Sequence, residues 1–189
     1  MRFPRGRGQP PLVMGILNLT PDSFSDGGRW NSTDSAVRHA LEMVDQGASI
    51  IDIGAESTRP GFEPVPADAE WARLEPVLRA LVDSTDALIS VDTVKSTVAS
   101  KALSAGADIV NDVNGLRGEG MMEVCADHGC PVVIGHMPAD ILSVHGTQMG
   151  PDYRMEIRSF LDAQCRKALD KGIPDDGIII DPGLGFGKT

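Results

Sequence analysis

The stretch Ser49-Ile50-Ile51-Asp52-Ile53-Gly54-Ala55-Glu56-Ser57-Thr58-Arg59-Pro60-Gly61 holds the pattern that decides the fold. A short, nearly continuous apolar run ends, and polar side chains capable of chemistry follow at once. The pattern recurs along the chain. Runs rich in Val and Ile occupy 12–17, 49–53, 88–91, 108–110, 131–134 and 177–180. Strands buried on both faces have this composition. Helical patterns lie between them at 33–46, 67–83, 95–104, 120–128 and 152–171. Gly47, Gly106, Gly129 and Gly172 mark stops just past four of these, the usual place for a helix to end. Strictly alternating strand and helix implies parallel strands joined by right-handed crossovers.

A doubly wound open sheet and a (β/α)₈ barrel both fit that alternation. The polar residues separate them. Asn18 follows the first strand, and Glu56, Thr58 and Arg59 follow the second. Asp92 ends the third, Asn111 and Asp112 end the fourth, His136 follows the fifth, and Asp181 the sixth. An open sheet concentrates its site at one switch point, whereas a barrel gathers every strand end around one mouth. The expected fold is therefore α/β, a TIM barrel truncated here to about six parallel strands, because a full barrel needs about eight. Residues 1–11 read as a basic Pro/Gly-rich segment, and 12–189 as one domain. Thr189 falls in an expected loop, so the 1–189 chain alone is expected to be inactive.

Lys and Arg number 17 against 27 Asp and Glu, a formal net charge of −10. Bulk charge of this sign disfavours nucleic acid and anionic membranes as partners. No apolar run reaches membrane-spanning length, and 1–11 lacks the apolar stretch of a secretory signal, so a cytoplasmic setting is expected. Cys125, Cys130 and Cys165 lack metal-ligand spacing and read as reduced, buried thiols.

Four motifs carry chemistry. Met14 to Gly28 is a strand running into a polar loop; Phe24 within it argues against a plain solvated turn, and Gly27-Gly28 reads as a hinge. In the quoted stretch, Arg59 offers a planar fork for carboxylate or phosphate, with Pro60-Gly61 shaping the turn. Asp92, Asn111 and Asp181 place two carboxylates and an amide on a rigid rim. Such a set suits an aminopyrimidine edge, a divalent metal, general acid–base work or simple helix capping. Finally, Asp181 to Thr189 ends in Gly-Lys-Thr, but Pro182 stands where a nucleotide P-loop requires glycine. Its alternating glycines read as backbone brought close to a flat ligand, with Phe186 and Lys188 adding stacking and charge. His136 reads as a hydrogen-bonded structural residue; His39, His128 and His145 read as surface residues.

Together these motifs resemble the dihydropteroate synthase family. The resemblance rests on 18–28, Glu-Ser-Thr-Arg-Pro-Gly at 56–61, Val-Asp-Thr-Val-Lys at 91–95, Asn-Asp-Val at 111–113, His136-Met137 and 181–188. It implies an enzyme that joins para-aminobenzoate to 6-hydroxymethyl-7,8-dihydropterin pyrophosphate, releasing pyrophosphate, and that sulfonamides target. It further implies that Asn18 holds Mg²⁺ and that Asp92, Asn111 and Asp181 grip the pterin. Phe186 would stack. Thr58 would contact the pyrophosphate-bearing substrate, while Phe24, Thr58, Arg59 and Pro60 shape the aminobenzoate pocket. Asp26 would stabilise the cationic pterin methylene, making Asp26, Thr58 and Arg59 the catalytic candidates. A homodimer is implied at full length, and the family's later Ser-Arg-Lys stretch and Arg-x-His anion site are expected past Thr189. Gly135 stands where many bacterial members carry Met, which implies a roomier pterin pocket. A corrinoid-linked methyltetrahydrofolate methyltransferase and a non-catalytic pterin-binding module are the alternatives.

Overall fold

The computed structural model describes residues 8, 10–19, 32–56, 64–138 and 149–188. Strands β1 (Met14–Asn18), β2 (Ile50–Gly54), β3 (Leu88–Asp92), β4 (Ile109–Asp112), β5 (Val132–Gly135) and β6 (Ile178–Asp181) alternate with five helices. These are α1 (Ser32–Asp45), α2 (Ala67–Ser84), α3 (Ser96–Ser104), α4 (Met121–His128) and α5 (Tyr153–Asp170). A 3-10 turn, Asp175–Gly177, leads into β6.

All six strands run parallel in one sheet, in the order β1-β2-β3-β4-β5-β6. The order never reverses. A doubly wound sheet must reverse at its switch point, so this sequential order is that of a barrel wall. The described sheet does not close, and β1 and β6 are its edges. Ile16 on β1 and Ile180 on β6 stand 65% and 56% exposed there.

Parity along each strand sorts the side chains between two faces. Leu17, Ile51, Ile53, Ile89, Val91, Val110, Val132 and Ile134 point outward into one core shared with the helices. The helices supply matching stripes. Leu74, Val77, Leu78 and Leu81 on α2 recur at helical spacing, as do Ile157, Leu161, Gln164 and Ala168 on α5. Successive helices α1 to α4 pack side by side over this face. The opposite face carries a smaller apolar cluster of Ile50, Ile109 and Val133 with Met14, Leu88 and Ile179.

Helix ends follow the glycine signals closely. At α4, Gly129 takes a left-handed conformation at φ 60°, and its N–H caps the Ala126 and Cys125 carbonyls. Pro76 lies within α2, yet the helix continues through it. Cys125 and Cys130 are buried and Cys165 is half-buried, all as free thiols. Among the described residues, no helix is long and apolar enough to cross a membrane.

Candidate active site

The inner face of the sheet changes from apolar to polar toward the carboxyl ends of the strands. In ladder register, Met14, Ile50 and Leu88 form the lowest row. The next row is Ile16, Asp52, Ser90 and Ile109, and above it stand Asn18, Gly54, Asp92, Asn111, Val133 and Ile179. Asp52, Ser90, Asp92 and Asn111 thus share one patch on three adjacent strands.

Asn111 Nδ2 donates to Asp52 Oδ2 at 2.9 Å, reaching across β3. Asp52 is 3% exposed and Ser90 is fully buried. The Ser90 hydroxyl lies close enough to steady the Asp52 charge. Even so, Ser90 Oγ and Asp52 Oδ1 complete no hydrogen bond among the described residues. Buried polar atoms are normally paired, so these two are open to a polar partner beyond the described residues. Burial raises the Asp52 carboxyl above its usual range, with Ser90 and Asn111 pulling it back. Asp92 is half-buried as a residue, but its carboxyl lies among protein atoms. Burial first, then the charges of Asp52, Asp112, Glu70 and Glu56, raise it well above its usual range. Carboxylates crowded in a concave, desolvated setting are candidate functional groups.

Asp112 follows Asn111 and so turns to the outer face, fully buried. Its Oδ1 accepts from Asn114 N at 2.7 Å and its Oδ2 from Leu116 N at 3.0 Å, which holds the β4–α4 loop in shape. Burial raises its carboxyl to about 6 despite those bonds. Leu116 takes a positive φ of 57° in this loop, a conformation that non-glycine residues rarely adopt. Gln164 from α5 donates to the Gly115 carbonyl beside it.

Asp181 is exposed, in register with Gly135 and two residues past Ile179, which is in register with Val133 and Asn111. Parity puts it on the same inner face as Asp92 and Asn111. Its Oδ1 accepts from Gly183 N at 2.8 Å. The following loop folds back onto the end of β5. His136 N donates to Asp181 O at 2.8 Å, and Lys188 Nζ donates to His136 O at 2.9 Å and to Gly183 O at 2.5 Å. Gly183, at φ 61°, has no room for a side chain, because a Cβ would stand 2.2 Å from His136 O. The close approach expected of this glycine toward a ligand is therefore made to the β5 backbone. Gly185 faces open space. Phe186 is half-buried, its ring centroid 6.0 Å from Lys188 Nζ. Lys188 serves the loop as a pin, and burial lowers its amine from the usual value.

His136 is buried and packs edge-on against Phe160, with ring centroids 5.1 Å apart. Its Nδ1 has no partner among the described residues. Burial, then the Lys188 and Arg117 charges, lower its pKa.

Gly135 does not widen the pocket. A Cβ there would meet Val113 Cα at 2.7 Å and the Asp112 and Val113 carbonyls at 3.0 Å. A Cβ on Gly115 would in turn meet Gly135 O at 2.7 Å. The β4–α4 loop has closed into the space, so the roomier pocket expected from Gly135 is corrected.

Asn18 is exposed at the end of β1, opposite Gly54, which separates it from Asp92 in the row. Phe24, Asp26, Thr58, Arg59, Pro60 and His145 lie outside the described residues. The residue that sequence reading missed is Asp52. A charged residue amid Ile50, Ile51 and Ile53 was its signal, since only a functional or fully paired carboxylate tolerates such a place.

Residues 14–189 match the family described as Pterin binding enzyme. Over 179 residues the chain is 45% identical to a dihydropteroate synthase of Bacillus subtilis, covering 94% of this chain and 60% of that protein. It is 41% identical to one of Clostridium beijerinckii, covering 96% and 65%. Among solved structures, the dihydropteroate synthase of Xanthomonas albilineans with 4-aminobenzoic acid superposes with a TM-score of 0.88 at 44% identity, over 95% of this chain and 63% of that one. The Yersinia pestis enzyme in a sulfonamide complex gives 0.88 at 40% identity. The chain thus spans about three-fifths to two-thirds of the curated relatives it matches, and with a family match running from β1 to its last residue it belongs to the pterin binding enzymes.

Proposed function

We propose that the full-length protein is a dihydropteroate synthase. It would condense 6-hydroxymethyl-7,8-dihydropterin pyrophosphate with para-aminobenzoate. The observation that carries this reading is the patch of Asp52, Ser90, Asp92 and Asn111, whose Asp52 Oδ1 and Ser90 Oγ are buried on the inner face with no partner among the described residues. A pterin edge alternates N–H donors with acceptor nitrogen and oxygen, and carboxyl, hydroxyl and amide groups at fixed positions complement it. Asp181, on the same face, would extend the grip, and Phe186 would stack on the ring.

In the reaction, the aminobenzoate nitrogen forms a C–N bond to the pterin methylene. The C–O bond breaks, its electron pair leaves with pyrophosphate, and the nitrogen loses a proton. Positive charge builds on the pterin as the bond breaks, and the nearby carboxylates favour it. Asp26 would act alongside them. Thr58 would contact the pyrophosphate-bearing substrate, and Phe24, Thr58, Arg59 and Pro60 would enclose the aminobenzoate.

The residues present fit Mg²⁺. That ion keeps several waters and takes one or two protein oxygens plus phosphate oxygens. Asn18, exposed beside the side-chain-free Gly54, offers one such oxygen. When bound, Mg²⁺ would neutralise charge on the departing pyrophosphate. The proposal extends to 12–189 as one pterin-binding unit, and to a cytoplasmic homodimer at full length.

The test is formation of dihydropteroate from the two substrates by the purified full-length protein, with competition by a sulfonamide. Pterin binding without product would instead leave a binding module, and methyl transfer from methyltetrahydrofolate would identify the methyltransferase alternative.

A further inference from the structure

Asn111 on β4 and Asp181 on β6 lie either side of β5, and in register with Asp181 β5 presents Gly135, which has no side chain to set the spacing between them. The outer face carries contacts that do. Phe160 and Gln164 stand one turn apart on α5 and so share one side of that helix. Gln164, 3% exposed, interrupts an apolar stripe. Its Nε2 donates to the Gly115 carbonyl, 49 residues earlier in the chain. The Phe160 ring meets the same glycine, since a Cβ on Gly115 would stand 2.7 Å from Phe160 Cζ. The ring also packs edge-on against His136 and lies under the Arg117 guanidinium, 5.3 Å from the ring centroid. Arg117 Nε donates to Asn114 O at 2.7 Å, and its Nη2 donates to Met137 O at 3.3 Å.

These contacts join two strand ends. Asn114, Gly115 and Arg117 belong to the loop that opens directly after Asn111 and Asp112. His136 follows β5, and its N–H is bonded to Asp181 O. Helix α5 therefore reaches the end of β4 through Gly115 and the end of β6 through His136. The β4–α4 loop also holds Leu116 at a φ of 57°, a conformation that persists only where the surroundings fix it. An apolar residue at 164 would serve packing alone, and a buried amide costs desolvation unless it is bonded. What the amide adds is direction, because it holds one carbonyl of that loop in place.

We infer that Phe160 and Gln164 are positioning residues for the pterin site, fixing from behind the sheet where Asn111 stands relative to Asp181. The inference rests on the functional reading above for what those two residues grip. Phe160 and Gln164 act from the outer face, away from the substrate.

The test uses the full-length protein and 6-hydroxymethyl-7,8-dihydropterin pyrophosphate. Gln164→Met keeps the length and burial of the side chain and removes the donor. The pterin Kd should rise about fivefold or more, since small misplacements of binding groups are costly, while KM for para-aminobenzoate stays within about twofold of the original. Phe160→Leu, which loses the ring between Gly115 and His136, should shift the same constant in the same direction. It supplies the reading if Gln164→Met shows no cooperative melting transition. A residue that acts through Asn111 loses its effect once Asn111 is removed. In an Asn111→Ala background, Gln164→Met should therefore change the pterin Kd by less than about twofold, whereas a merely structural role would carry over in full. An unchanged pterin Kd in both single variants would overturn the inference. So would equal shifts in pterin Kd and aminobenzoate KM, or an undiminished effect in the Asn111→Ala background. A wild-type protein that binds no pterin would remove the functional reading and the inference with it. Wild-type binding beside insensitive variants would remove the inference alone.

Discussion

Asn111 on β4 donates to Asp52 on β2 at 2.9 Å, spanning the strand between them. The bond uses one oxygen of a buried acid and leaves the other without a partner among the described residues. Such an arrangement orients the carboxylate without satisfying it, which is how a binding group is prepared for a ligand.

Asp52→Asn in the full-length protein is expected to weaken pterin binding by about 1–3 kcal/mol, the cost of leaving a polar ligand group unpaired. Thermal stability should hold or rise, because the substitution removes a desolvated charge. Calorimetric titration beside a melting curve checks both. Unaltered pterin affinity would take Asp52 out of the site.

Asp181 allows a cleaner separation of roles. Its Oδ1 accepts from Gly183 N, and an asparagine oxygen can accept the same bond. Asp181→Asn should therefore keep the turn and lose pterin affinity, more than aminobenzoate affinity. Asp181→Ala should lose the turn as well, with lower stability. If the two variants match in both pterin affinity and melting temperature, the carboxylate has no role of its own.

The Asp112 carboxyl supplies a pH dependence. Its pKa is raised by burial from 3.8 to about 6 in the folded protein, so the folded state holds the proton more tightly than the unfolded chain. The stabilisation is fully present below 3.8 and is lost as pH rises to about 6. At about 1.4 kcal/mol per pKa unit the loss is on the order of 3 kcal/mol. Asp112→Asn, which retains one of the two backbone bonds, should be less stable than wild type at pH near 4, and the gap should narrow by about pH 7. Denaturant titrations across that range would show it. Parallel profiles would rule out Asp112 as the source.

Lys188→Met should loosen the loop that follows β6. Two carbonyls, on His136 and Gly183, lose their shared donor, at a cost of roughly 1–2 kcal/mol. Faster proteolysis within 182–188, with β5 unaffected, is the expected sign. Resistance equal to wild type would mean that the pin carries no load.

The architecture was legible because both faces of every inner strand are buried. Ile50-Ile51 and Val132-Val133-Ile134 could hardly be read otherwise, and the strand-end polar residues then distinguished a barrel from a doubly wound sheet. Asn111 and Asp92 could be named as candidates because they stand where a strand gives way to a loop. Asp52 was missed because it stands mid-strand, where alternation rather than position marks the inner face. The Phe160–Gln164 pair was missed for a different reason. Gln164 lies on the apolar stripe of α5, where a single polar residue reads as a break in the pattern. Its partner Gly115 comes 49 residues earlier, and no local pattern joins the two. Likewise, nothing in Gly135 itself told whether a missing side chain leaves space or admits a neighbour.

That neighbour has a consequence for how this chain can change. Gly115 and Gly135 are both hemmed in by backbone: Gly135 O fills the room a side chain at 115 would need, and Val113 Cα with the Asp112 and Val113 carbonyls fills the room at 135. Neither can be enlarged alone. A larger residue at 135 must arrive together with a rerouted loop, so enlargement at 135 alone should destabilise the β4–α4 loop. Chimaeras built with relatives that carry a side chain at this position should exchange 109–137 as one cassette, with crossover points outside it.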